Sequence, residues 1–159
     1  MTAERRSIKF ENLDQVVLKL DQLLAQGYTK TGNWDLSAIC GHLNDWMRFS
    51  IDGYPKSPLP IRFVLWLMKV TMGRRQLDSV LKKGFRDRLP TMPGTVYDTD
   101  RSTDAEAVSQ LTDTINRFKV FAGPVHPSPL YGPLTHDEAL QLQLAHCSHH
   151  LKFLTPKTP

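Results

Sequence analysis

Three of the six histidines in this 159-residue chain, His146, His149 and His150, fall within five residues of one another. Imidazole is the side chain best suited to ligate a transition metal or to move a proton near neutral pH. On a helix turning about 100° per residue, His146 and His150 differ by about 40° in direction and lie one turn apart. That spacing lets two imidazoles reach one metal ion. Ala139, Leu142 and Phe153 project within about 40° of His146, so the pair sits in the middle of an apolar stripe. His42 lies among Ala38, Trp46 and Phe49 in the same way, while Ser37, Asn44 and Arg48 mark a polar face elsewhere on its helix. Two helices therefore aim imidazole at one core. A buried imidazole with unpaired polar atoms costs about 1–3 kcal/mol, and a divalent cation bonded to a ring nitrogen of each removes that cost. The expectation is a site of three histidines, His42, His146 and His150, with at least one open position.

The neighbours are read less sharply. His149 projects about 60° to the other side of His146 and is expected at the rim, beside the ligands. Asp45 projects about 60° from His42 and could orient a ligating imidazole or supply a fourth ligand, although a helical aspartate usually faces solvent. Cys40 and Cys147 point about 160° and about 100° away from the neighbouring histidines and read as small core residues. His126, in a proline-rich loop, and His136, at a helix start, are given no role.

The elements that must hold these residues read as helices separated by loops. Leu13, Val16, Val17, Leu20, Leu23 and Leu24 follow the helical period, with Gly27 as a stop. A second helix begins near Trp34, with Asp35 in its first turn, and runs to about Ile51. Gly53 and the prolines of YPKSPLP then break it. An apolar segment from Ile61 predicts a third helix that can continue through QLDSVLKKGF. Beyond the loop RLPTMPGTVYDTD, Thr103 and Glu106 have capping-box spacing ahead of the stripe Val108, Leu111, Ile115 and Phe118. Thr135 and Glu138 repeat that signature for a last helix ending near Leu154. No strand alternation bounded by hairpin turns is visible. The fold class is all-α, a single domain over residues 1–159: four helices forming a bundle, with the segment at 61–72 as an extra helix in a long crossover.

Composition bounds the partners. The net charge is +4, but eight basic residues against two acidic ones between Arg62 and Arg88 make that segment +6 and leave −2 elsewhere. The excess alone does not argue for nucleic acid, and Phe63, Trp66 and Phe85 among the basic residues equally suit a helix packing on a bundle. A basic entrance could instead draw in a small anionic substrate. The most apolar stretch, Ile61 to Gly73, is about half the length of a membrane span and carries Arg62 and Lys69. No secretory signal is visible at the start, and two cysteines cannot make a disulfide framework, so a cytoplasmic location is expected. A second apolar strip on the last helix, Leu140, Leu144 and Leu151, together with Trp66 in its apolar segment, leaves a homodimer open, with packing inside one chain the alternative for either.

Several ordered pieces carry a family likeness: GNWDLSAICGHLNDW (Gly32 to Trp46), SIDGYP (Ser50 to Pro55), HPSPLYGPLTHDEALQL (His126 to Leu142) and HCSHHLKFLTP (His146 to Pro156). The opening RRSIKFENLDQVV and INRF (Ile115 to Phe118) add weaker matches. Together they resemble the DinB/YfiT-like superfamily of bacterial four-helix-bundle proteins, within a branch known only as a domain of unknown function. The resemblance implies a metal ion held by the His-Leu of the second helix and by the HxxxH of the last, here His42, His146 and His150. Many members follow the final histidine with Gly-Gln, where this chain has Leu151, Lys152 and Phe153.

The functional expectation is a protein binding a divalent metal (zinc, nickel or iron); the resemblance implies a metal-dependent transferase using a low-molecular-weight thiol, as some relatives do, and an open metal position equally suits a hydrolase. The alternative is a non-catalytic, metal-stabilised module that binds a ligand or partner.

Overall fold

Local signals decide where the chain becomes helical. The computed structural model describes residues 8–86, 95–96 and 102–158. Helix α1 spans Leu13–Gln26, started by the Asn12 side chain accepting from the Gln15 N–H and stopped at Gly27, whose φ of +68° suits glycine. Helix α2 spans Leu36–Asp52 and α3 spans Leu59–Lys83. Helix α4 covers Asp104–Val120, α5 covers His136–Leu151, and both open with the expected reciprocal capping boxes, Thr103 with Glu106 and Thr135 with Glu138. The class is all-α, with one small addition that periodicity did not show. Strand β1 (Tyr28–Lys30) pairs antiparallel with β2 (Leu154–Pro156), Thr29 opposite Thr155.

The main core lies where α1, α2 and α4 meet one side of α5. Val16, Leu20, Leu23, Leu36, Leu43, Met47, Leu111, Ile115 and Leu151 are wholly buried there. The most extensive helix contact is α2 on α4. The other side of α5 packs on the C-terminal half of α3 in a smaller cluster of Leu77, Val80, Tyr131 and Leu142. Gly73 permits that seat, because a Cβ there would lie 2.9 Å from the Leu130 carbonyl oxygen. The N-terminal half of α3 differs. Leu59, Phe63, Val64, Trp66, Leu67 and Val70 are all exposed, Trp66 by 52%. Among the described residues no helix is long and apolar enough to cross a membrane.

Four sequence expectations need correction. Asp35 lies one residue before α2 and caps it, its carboxylate accepting from the Ala38 N–H. Helix α3 begins at Leu59, since Pro60 is tolerated in a first turn where N–H groups have no partner in the helix anyway, and it continues unbroken to Lys83. Helix α5 ends at Leu151, so Phe153 is not on its stripe. The chain turns there, with the Lys152 N–H reaching the Ser148 carbonyl, and leaves extended because the Thr31 N–H takes the Phe153 carbonyl. The strip proposed for self-association is internal: Leu144 and Leu151 are buried in the main core, with Leu140 packed against it. The polar face of α2, placed away from His42 as expected, is partly used inside the chain: Ser37 is buried and Asn44 accepts a hydrogen bond from Thr114 of α4 at 2.6 Å. Most of the loop at 88–100, residues 5–7 of the opening motif, and Asp87 and Arg88 of the basic segment lie outside the described residues.

Candidate metal centre

Helices α2 and α5 bring three imidazoles to one point. The first turn of α2 is held from three directions: the Leu36 N–H donates to the Tyr28 hydroxyl at 3.0 Å, the Ser37 N–H to Asp104 at 2.9 Å, and the Ala38 N–H to Asp35 at 2.9 Å. The Tyr28 hydroxyl donates in turn to Asp104 at 3.0 Å. Burial, reinforced by the Asp104 charge, pushes the Tyr28 phenol up to about 12, so it remains a donor. The start of the helix bearing His42 is thus tied to β1 and α4. The capping box of α5 and an ion pair from Arg74 of α3 to Glu138, 2.7 Å, fix the start of the helix bearing the other two histidines.

Nε2 of His146 lies 3.0 Å from Nε2 of His42 and 3.1 Å from Nε2 of His150. Donor nitrogens of all three rings fall within 4.8 Å of one another. Nδ1 of His42 is 2.9 Å from the Thr95 carbonyl oxygen. A carbonyl only accepts, so neutral His42 carries its proton on Nδ1 and presents a bare lone pair at Nε2. The proton accounting then cannot close. His146 Nε2 carries at most one hydrogen, which cannot be aimed at both neighbouring nitrogens. A cation can meet all three lone pairs at once, and two nitrogens sharing a tetrahedral zinc would be about 3.3 Å apart. The donor set fits a divalent metal: three borderline-soft imidazoles, which by themselves do not select among zinc, nickel and iron.

The surroundings keep these rings uncharged. Burial holds His146 well below its ordinary pKa, and His150, His42 and His149 beside it push the same way. Burial and the neighbouring His42 and His149 take His150 down to about 2. His42 is also lowered by burial, against the opposing effects of the Thr95 carbonyl and of Asp45. Neutral imidazole is the form that binds metal. Aromatic rings supply much of the apolar wall. Trp34 stacks on His150 at 5.4 Å and 8°, Trp46 stands edge-on to His146 at 5.9 Å, and Phe85 lies 5.3 Å from His146. The Trp46 Nε1–H is buried with no hydrogen-bond partner among the described residues.

The structure therefore brings together His42, His146 and His150. Asp45 is not among the grouped donors; its carboxylate binds Arg48 at 3.1 Å and acts on His42 through charge. His149 sits beside them, its ring edge-on to His150 at 5.0 Å and 5.8 Å from Phe85. His126 and His136 are elsewhere, the latter donating to the Phe121 carbonyl at 3.0 Å. Both cysteines are wholly buried and free. Burial raises the Cys40 thiol and takes Cys147 up to about 12, so neither offers a thiolate near neutral pH. The Thr95 carbonyl, the Trp34 stack and the Phe85 wall were not anticipated. A backbone carbonyl is common to every residue and leaves no trace in side-chain spacing. Trp34, eight residues before His42, could have been found as an aromatic next to the cap of its helix.

Residues 2–157 match a family model described as "Protein of unknown function (DUF1569)". No curated protein and no solved structure matches the chain.

Proposed function

The chain belongs to this family of proteins of unknown function, and we propose that it is a metal-binding protein whose divalent cation is held by His42, His146 and His150. The observation that carries the reading is the meeting of three neutral imidazoles, His42 buried and His146 and His150 partly so, whose Nε2 contacts of 3.0 and 3.1 Å protons cannot all satisfy. A divalent cation in such a donor set supplies Lewis acidity toward a thiol or a water in an open position. The chain's own residues do the rest. The Thr95 carbonyl fixes the tautomer of His42, and Asp45 favours positive charge on that ring. Trp34 orients His150 by stacking, and Trp46 and Phe85 help to exclude water from His146.

The chemistry proposed is a metal-dependent thiol transfer or hydrolysis, with a low-molecular-weight thiol or another small anion as substrate, in a cytoplasmic setting suited to the free cysteines. The architecture proposed is the DinB/YfiT-type four-helix bundle, made of α1, α2, α4 and α5 with α3 in the crossover. It is supported by the contacts of α4 with α2 and of α5 with both α1 and α2. The exposed apolar residues at the N-terminal half of α3 support a homodimer through that helix.

Cobalt substitution tests the reading. Cobalt-loaded protein is expected to show ligand-field absorption that a cellular thiol perturbs by adding a sulfur-to-metal band. Failure to take up cobalt would remove the metal centre. Uptake with no response to any cellular thiol would remove the thiol chemistry and leave hydrolysis.

A further inference from the structure

A cavity of about 410 Å³ opens beside the three histidines, between the C-terminal end of α3, the middle of α5 and the segment 8–10. Its volume is in the range of pockets that hold small organic ligands. Val80, Phe85 and Leu144 give it an apolar lining, and Lys9, Lys82, Lys83 and Lys152 line it as well. No acidic side chain lines it among the described residues. Lys82 and Lys83 stand in the last turn of α3, where cations complement the carbonyl end of a helix. Lys152 caps the end of α5 in the same way, but that does not account for Lys9, which reaches the cavity from a segment outside any helix. Polar groups that could orient a head group, Gln141 and Ser148, lie on the α5 wall. The partition between this cavity and the histidine cluster is built from two shared residues. Phe85 and His149 both line the cavity, Phe85 touches His146, and His149 touches His150.

We infer that this cavity binds an organic anion with an apolar body, its carboxylate or comparable head among the lysines and its body against Val80, Phe85 and Leu144. Four cations around a hollow with mixed polar and apolar walls attract such a ligand and reject its cationic counterpart, which would meet like charge on desolvation. A role for this anion as the substrate of the neighbouring centre rests on the metal-binding reading above; the binding itself rests on the cavity alone.

Titration calorimetry with decanoate, decan-1-ol and decyltrimethylammonium tests it on the full chain, as purified and after chelation. Decanoate is expected to bind at least tenfold more tightly than either of the other probes. Lys82→Gln/Lys83→Gln should weaken decanoate at least tenfold, and Lys9→Gln, on a different segment, should weaken it in the same direction. All these side chains are exposed, so the variants should fold. Absence of decanoate binding, equal binding of the three probes, or lysine variants that bind like the parent would overturn the inference. Decanoate binding that survives chelation and the loss of His42 would separate the fate of this pocket from that of the metal centre.

Discussion

Replacing Tyr28 with phenylalanine deletes one oxygen, yet that oxygen lies at the centre of the network that starts α2. The hydroxyl accepts from the Leu36 N–H and donates to Asp104, each at 3.0 Å. A neutral hydrogen bond contributes about 1 kcal/mol net and one to a carboxylate about 1.5–3 kcal/mol. Tyr28 is half-buried, so water recovers part of both. Tyr28→Phe should therefore cost about 1.5–3 kcal/mol, which for a domain of this size lowers Tm by roughly 3–12 °C. Denaturant unfolding followed by circular dichroism measures this directly. The same series with Asp104→Asn and the double variant should give a coupling energy of about 1 kcal/mol or more. A cost of Tyr28→Phe below about 0.5 kcal/mol, or additive single losses, would show that Leu36 and Asp104 find equal partners without the hydroxyl.

Two further predictions concern how the helices are seated. Gly73→Val should cost about 1–3 kcal/mol, because its Cβ would lie 2.9 Å from a backbone oxygen that cannot swing aside; unfolding curves matching the parent would refute the close approach. The Glu138 carboxyl is held below its ordinary value of 4.5, first by Arg74 and then by the Thr135 N–H. Its contribution is therefore complete above about 4.5 and is lost as pH falls through the lower, folded value. Glu138→Gln should flatten that acid limb and cost less than about 1 kcal/mol near neutral pH, since the ion pair is exposed. An unchanged limb would place the acid sensitivity elsewhere.

Much of this was legible because helices repeat and caps have signatures. Thr103 and Thr135 start helices where side-chain chemistry dictates, and the 40° separation of His146 and His150 brings both onto the flank that meets His42. The failures have a common cause: tertiary partners that leave no periodic trace. Strands of three residues such as Tyr28–Lys30 and Leu154–Pro156 are too short to show alternation, and their pairing is what ends α5 before Phe153. Leu144 and Leu151 looked like a spare strip because a helix wedged between two clusters buries more than one face. Asn44 reads only as part of a polar face, and its partner, Thr114 of α4, comes from a distant helix. The Thr95 carbonyl that sets the His42 tautomer is a backbone group 53 residues away, invisible to any reading of side-chain types.

The central claim is that His42, His146 and His150 hold a metal. Elemental analysis of the purified chain beside its His42→Ala and His146→Ala variants tests it most directly. The parent should carry roughly one equivalent of a divalent transition metal, and each variant, still helical by circular dichroism, should lose most of it. Full occupancy in both variants, or a parent that takes up no divalent metal when supplied with it, would contradict the account.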